Sequence, residues 1–112
     1  MRIEQQETGS VMLLTVMDKR IDARVAPEFK RFMNEIVEGG QHWIALDIEN
    51  VEFIDSSGLG AIVTALKSVG RRGDLAISGA RQPVNDLFRL TRMDKVFRMF
   101  ATNDEAVAAL QH

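Results

Sequence analysis

Residues 43–48, Trp-Ile-Ala-Leu-Asp-Ile, make a nearly continuous apolar run of strand length. Successive side chains of a strand point to opposite faces, so such a run must be covered on both sides. Sheets covered on both sides are built mainly of parallel strands, and parallel neighbours need crossover connections, usually helices. The flanking sequence supplies them. Phe29, Phe32, Met33, Ile36 and Val37 recur at spacings of three and four, behind a Pro27 that a first helical turn tolerates and ahead of a Gly39-Gly40 stop. Asp22 stands before this helix with the side chain of an N-cap. Leu59, Ile62, Val63, Leu66 and Val69 lay one apolar stripe along a second helix that begins near Ser56 or Ser57.

The remaining segments extend the alternation. Val11–Met17 reads as a strand, paired with Ile3–Glu7 across a Thr8-Gly9-Ser10 turn. Leu75–Ser78 is long enough only for a strand, after a turn at Gly70–Asp74. Pro83 opens a helix bearing Val84, Leu87, Phe88 and Leu90, and Val96–Phe100 reads as a last edge strand. Thr102-Asn103-Asp104-Glu105 has the capping-box spacing ahead of a terminal helix with Ala106, Val107 and Leu110. The chain shows no linker, internal repeat or low-complexity tract. Residues 1–112 therefore read as a single α/β domain, with a mixed, mostly parallel sheet of four to five strands and about four helices.

Composition narrows the function. There is no cysteine, which removes zinc–thiolate sites and cysteine nucleophiles and suits a reducing cytoplasm. The first residues lack the apolar core of a signal sequence, and no apolar run approaches bilayer length. Fourteen basic against 16 acidic side chains give a net charge of −2, without the basic excess of a phosphate-backbone binder. Charge is mildly uneven, with 7 basic and 11 acidic residues over 1–70 and 7 and 5 over 71–112. Arg89, Arg92, Lys95 and Arg98 lie three apart, but the element type changes between them, so they are not expected to form one stripe.

Few residues carry chemistry. The two histidines, His42 and His112, sit beside the buried strand and at the last position, in no triad pattern. Gly58-x-Gly60 belongs to neither a dinucleotide nor a P-loop motif, and Ser57 lacks the flanking glycines of a hydrolase elbow. An enzyme built on Asp55 and Ser57 has no identifiable base or oxyanion partner, and no metal or cofactor is implied. What stands out is Asp55-Ser56-Ser57-Gly58, polar and small residues between an apolar strand and an apolar helix. One account is capping, with an Asp or Ser oxygen accepting a backbone N–H and the glycines allowing close packing. Another is a hydroxyl at a positive helix N-terminus, where a phosphate would be stabilised.

Phe53-Ile54-Asp55-Ser56-Ser57-Gly58-Leu59-Gly60-Ala61-Ile62 resembles the signature of bacterial anti-sigma factor antagonists, the small STAS-domain proteins of partner-switching pathways. Arg20-Ile21-Asp22 with Ala26-Pro27-Glu28-Phe29, Leu46-Asp47-Ile48, Gly79-Ala80 to Pro83-Val84, and Leu87-Phe88 resemble other parts of that family in the same order. The chain departs from it at Lys19, where the family usually has Gly, which implies a differently shaped turn before Asp22. The resemblance implies a cytoplasmic, non-catalytic module that binds an anti-sigma factor serine kinase and so releases a sigma factor. Phosphorylation of the second serine of the motif, here Ser57, would break the pairing, and a PP2C-type phosphatase would restore it. Asp22, Ala26, Asp55, Ser56, Gly58 and Leu59 are the implied partner-binding residues, with no direct contact to nucleic acid or membrane. A STAS scaffold, or a phospholipid-transport subunit not switched by a dedicated kinase, is the alternative within the same family.

Overall fold

In the computed structural model, which describes residues 1–112, the chain runs β1 (Ile3–Thr8), β2 (Val11–Val16), β3 (Arg20–Ile21), α1 (Ala26–Glu38), β4 (Trp43–Asp47), β5 (Phe53–Ile54), α2 (Ser56–Val69), β6 (Asp74–Ser78), α3 (Gln82–Leu90), β7 (Arg98–Phe100) and α4 (Asn103–Leu110). The main sheet has the order β1-β2-β4-β6-β7. β1 and β2 form the expected antiparallel hairpin, and every other pairing in the sheet is parallel. β4 is thus the middle strand, as its two-sided apolar run requires.

Alternation along the strands divides the core in two. Met12, Leu14, Val16, Ile44, Leu46, Leu75 and Ile77 face α1, α2 and α3 and meet Phe29, Met33, Ile62, Val69 and Phe88. The intervening positions carry Val11, Ala45 and Ala76, and these small residues let α4 settle on the other face through Ala106 and Leu110. Asp47 interrupts the apolar run of β4 and is nonetheless buried. Its carboxylate accepts from Asn103 Nδ2 at 2.8 Å and from the Glu49 N–H at 2.9 Å, while Asn103 Oδ1 accepts from the Ser78 hydroxyl. A buried carboxylate is tolerated when donors surround it. This one ties the start of α4 to the ends of β4 and β6.

Three expectations need correction. The N-cap of α1 is Val25, not Asp22, whose main-chain carbonyl instead accepts from the Val25 and Ala26 N–H groups in the turn before the helix. Leu90 does not join the core but is 84% exposed at the last turn of α3. Arg89, Arg92 and Lys95 do share a surface, a concavity of about 540 Å³ formed where Arg92 takes a left-handed backbone, φ 63°, and turns the chain back on itself. Arg98 stands apart from them, 3.8 Å from Asp74. Lys19, for its part, does not have the left-handed backbone that favours glycine, and its carbonyl accepts from the Glu52 and Phe53 N–H groups.

A candidate docking and modification site at the start of α2

Two very short strands create the site. β3 pairs in parallel with β5, Arg20 opposite Phe53 and Ile21 opposite Ile54. Parallel register carries the next residues side by side, so the segment beginning at Asp22 and the start of α2 at Asp55 emerge together. The Arg20 guanidinium lies 4.3 Å over the Phe53 ring, a cation–π contact across the ribbon.

Asp55 is the bracket that joins the two segments. It is the N-cap of α2, with Oδ1 accepting from the Gly58 N–H at 2.8 Å, and its Oδ2 accepts from the Ala23 N–H at 3.1 Å. Both carboxylate oxygens are therefore engaged by main-chain donors, which leaves Asp55 poorly placed to act as a base on a neighbouring hydroxyl. Because Asp55 does the capping, neither serine is needed for it. Ser56 and Ser57 occupy the first turn of α2 and both are exposed.

Asp22 is part-buried beside them. Its carboxylate accepts from the Arg24 N–H at 3.1 Å and from Arg20 Nε at 3.3 Å. Loss of hydration pushes its carboxyl up, but the Arg20 side chain and the Arg24 N–H outweigh that and hold it below the ordinary aspartate value, so it stays ionised at neutral pH. Of the other expected partner-binding residues, Ala26, Gly58 and Leu59 are buried. They shape the surface from beneath. Leu59 and Ile62 form the apolar support under the serines, as the helical spacing predicts.

Glycine has two different meanings two residues apart. A Cβ on Gly58 would lie 1.9 Å from the Ile21 carbonyl oxygen, so only glycine allows α2 to approach β3. Gly60 is exposed, and a Cβ there would meet nothing within 4 Å. From Ser57 a shallow concavity of about 400 Å³ runs between α1 and α2 past Pro27, Lys30, Gly60 and Thr64. Lys30 is its one charged side chain. Sequence spacing did not single out Lys30 or Thr64, because they belong to the groove only once α1 packs on α2.

The double role of Asp55 is testable. Asp55→Ala removes the cap, at about 0.5–2 kcal/mol, and the Ala23 tie with it, so the folded state should lose roughly 2–3 kcal/mol in urea denaturation. Asp55→Asn can still cap through its remaining oxygen but offers an amide to Ala23. It should lose about 1 kcal/mol or less while the Ala23 amide exchanges faster. Equal destabilisation by the two substitutions would contradict the bracket.

The model of the STAS domain matches residues 2–106. The chain belongs to the STAS domain family. An anti-sigma F factor antagonist from Paenibacillus polymyxa is 28% identical over 112 residues, covering 98% of this chain and 92% of the relative. The crystal structure of a candidate anti-sigma factor antagonist from Thermotoga maritima superposes with a TM-score of 0.87 at 28% identity, covering 96% of this chain and 93% of that one. The Bacillus cell-fate determinant SpoIIAA in its phosphorylated form superposes with a TM-score of 0.74 over 98% of this chain and 100% of that one, and at 16% identity it shares the fold. Of these three, the Paenibacillus and Thermotoga proteins are named as anti-sigma factor antagonists, and none is named as an enzyme. No helix of this STAS domain is long and apolar enough to cross a membrane.

Proposed function

We propose that this STAS domain is an anti-sigma factor antagonist that binds a serine-kinase anti-sigma factor and is switched off by phosphorylation of Ser57, with a PP2C-type phosphatase restoring it. The observation that carries this reading is the division of labour at the start of α2. Asp55 satisfies the cap and the adjoining loop, which leaves the Ser57 hydroxyl exposed on a helix N-terminus beside an open groove. A phosphate there sits at the positive end of the helix dipole and adds charge without breaking a contact of the fold. Asp22 supplies an ionised carboxylate on the same surface, and Ser56 lies next to the acceptor. The curated relatives named as antagonists support the partner class. Binding and modification in this scheme take place in the cytoplasm.

The site assignment is tested by incubating the protein with the anti-sigma kinase and ATP and mapping the modified residue by mass spectrometry. Phosphate is expected on Ser57. Phosphate on Ser56 would move the assignment by one residue, and no phosphate on either serine would overturn the switch.

A further inference from the structure

Gly60 is a residue the fold does not need. It lies inside α2, five residues in, where glycine is among the least favourable residues for a helix. It does not have a left-handed backbone, it is exposed, and a Cβ would touch nothing. Every intramolecular reason for a glycine found at Gly58 is missing at Gly60. Alanine would hold the helix better and fit the space. The position also has a distinctive setting, one helical turn beyond Ser57 on the wall of the α1–α2 groove. Thr64, the next residue along that wall, turns its hydroxyl back onto the Gly60 carbonyl at 2.9 Å. The polar atoms at this point are consequently satisfied within the helix, and the surface offered outward is bare backbone.

We infer that Gly60 sets the distance of closest approach between this STAS domain and the anti-sigma kinase, by letting the kinase pack directly on the backbone of α2 next to Ser57. The inference rests on the proposed function, whose docking face it refines. Close approach at Gly60 excludes water from the neighbourhood of Ser57, and that is what a charge switch needs. A phosphate left in solvent would be screened, whereas one trapped against the partner meets a low-dielectric contact and cannot be hydrated. Gly60 is therefore a specificity-determining residue for docking, although it makes no side-chain contact of its own.

The signature is a variant that becomes more stable and binds worse. Gly60→Ala should raise the melting temperature by a few degrees through helix propensity and weaken binding to the anti-sigma kinase by at least tenfold, with Gly60→Leu weaker still. Lys67→Ala, on the same helix outside the groove, should leave affinity unchanged. Binding is read by calorimetry on the intact protein, with wild type measured first. If wild type fails to bind the kinase, the proposed function is at fault. If wild type binds and Gly60→Ala binds equally well, close approach at Gly60 is refuted while the function stands. A lower melting temperature for Gly60→Ala would likewise overturn the inference, because it would show that the glycine serves the fold.

Discussion

Ser57→Asp is expected to bind the anti-sigma kinase far more weakly than wild type, and Ser57→Ala to bind it constitutively, with both variants fully folded. The required size follows from the task. Moving a partner from mostly bound to mostly free, from 99:1 to 1:99, takes about 5.5 kcal/mol, or roughly 10⁴ in affinity. The fold offers little of that energy, since Ser57 is exposed and tied to no structural contact that a charge would break. The interface has to supply it. A phosphate carries about −1.5 to −2 charge, and placing it in a close contact costs both hydration and like-charge repulsion when the partner is itself a nucleotide-binding kinase. Aspartate has less charge and fewer oxygens, so Ser57→Asp should show part of the effect. The melting temperature separates this mechanism from unfolding: it should change little for either variant, and a large drop confined to Ser57→Asp would contradict control at the interface.

Gly58→Ala should be the most destabilising single-methyl addition at the site. The new Cβ would sit 1.9 Å from the Ile21 carbonyl oxygen, a main-chain atom of β3. A flexible side chain could step aside, but here α2 or β3 must move. Overpacking commonly costs about 1–3 kcal/mol, and the rigidity of both elements puts this substitution at or above about 3 kcal/mol. That is a large share of the roughly 5–15 kcal/mol by which a domain is folded at all. The damage would also spread to the site, because the Asp55 N–H bonds the same Ile21 carbonyl and the Asp55 carboxylate holds Ala23. Chemical denaturation of Gly58→Ala beside Gly60→Ala makes a matched pair, two alanines on one helix with opposite expected signs. Similar stabilities for the two would refute the packing account of Gly58.

The elements that periodicity encodes were legible in the sequence. The two-sided run of Trp43–Ile48 marked the middle strand, the three-and-four spacings marked α1 and α2, and Thr102 with Glu105 forms the capping box its spacing announced. What escaped depends on partners distant in the chain. β3 is two residues long, too short for any pattern, and exists because it pairs with β5 more than thirty residues away. Asp22 carries the side chain of an N-cap, but the turn it sits in bends first, so the helix starts at Ala26 behind Val25. Asp47 looked like an interruption of an apolar strand, and its explanation is Asn103, brought over it by α4. Leu90 is apolar like its neighbours, but at six residues from Val84 and two from Phe88 it lies about a third of a turn off the face those residues bury, and it stays exposed at the end of α3.

The candidate site divides in the same way. The motif Asp55-Ser56-Ser57-Gly58 could be read as a cap or as a phosphate acceptor, and the structure has room for both because Asp55 takes the first role alone. The two glycines of the motif could not be told apart in sequence. Only the distance to Ile21 separates one that the fold requires from one that it does not.

The most direct test of the central claim is titration calorimetry at physiological salt, comparing unmodified protein with protein phosphorylated on Ser57, each titrated into the anti-sigma kinase. The account predicts tight binding by the unmodified protein and a loss of about 10⁴-fold on phosphorylation. It also predicts that most of the loss persists at moderate ionic strength, because the phosphate is buried on docking. Equal affinity of the two forms would contradict it.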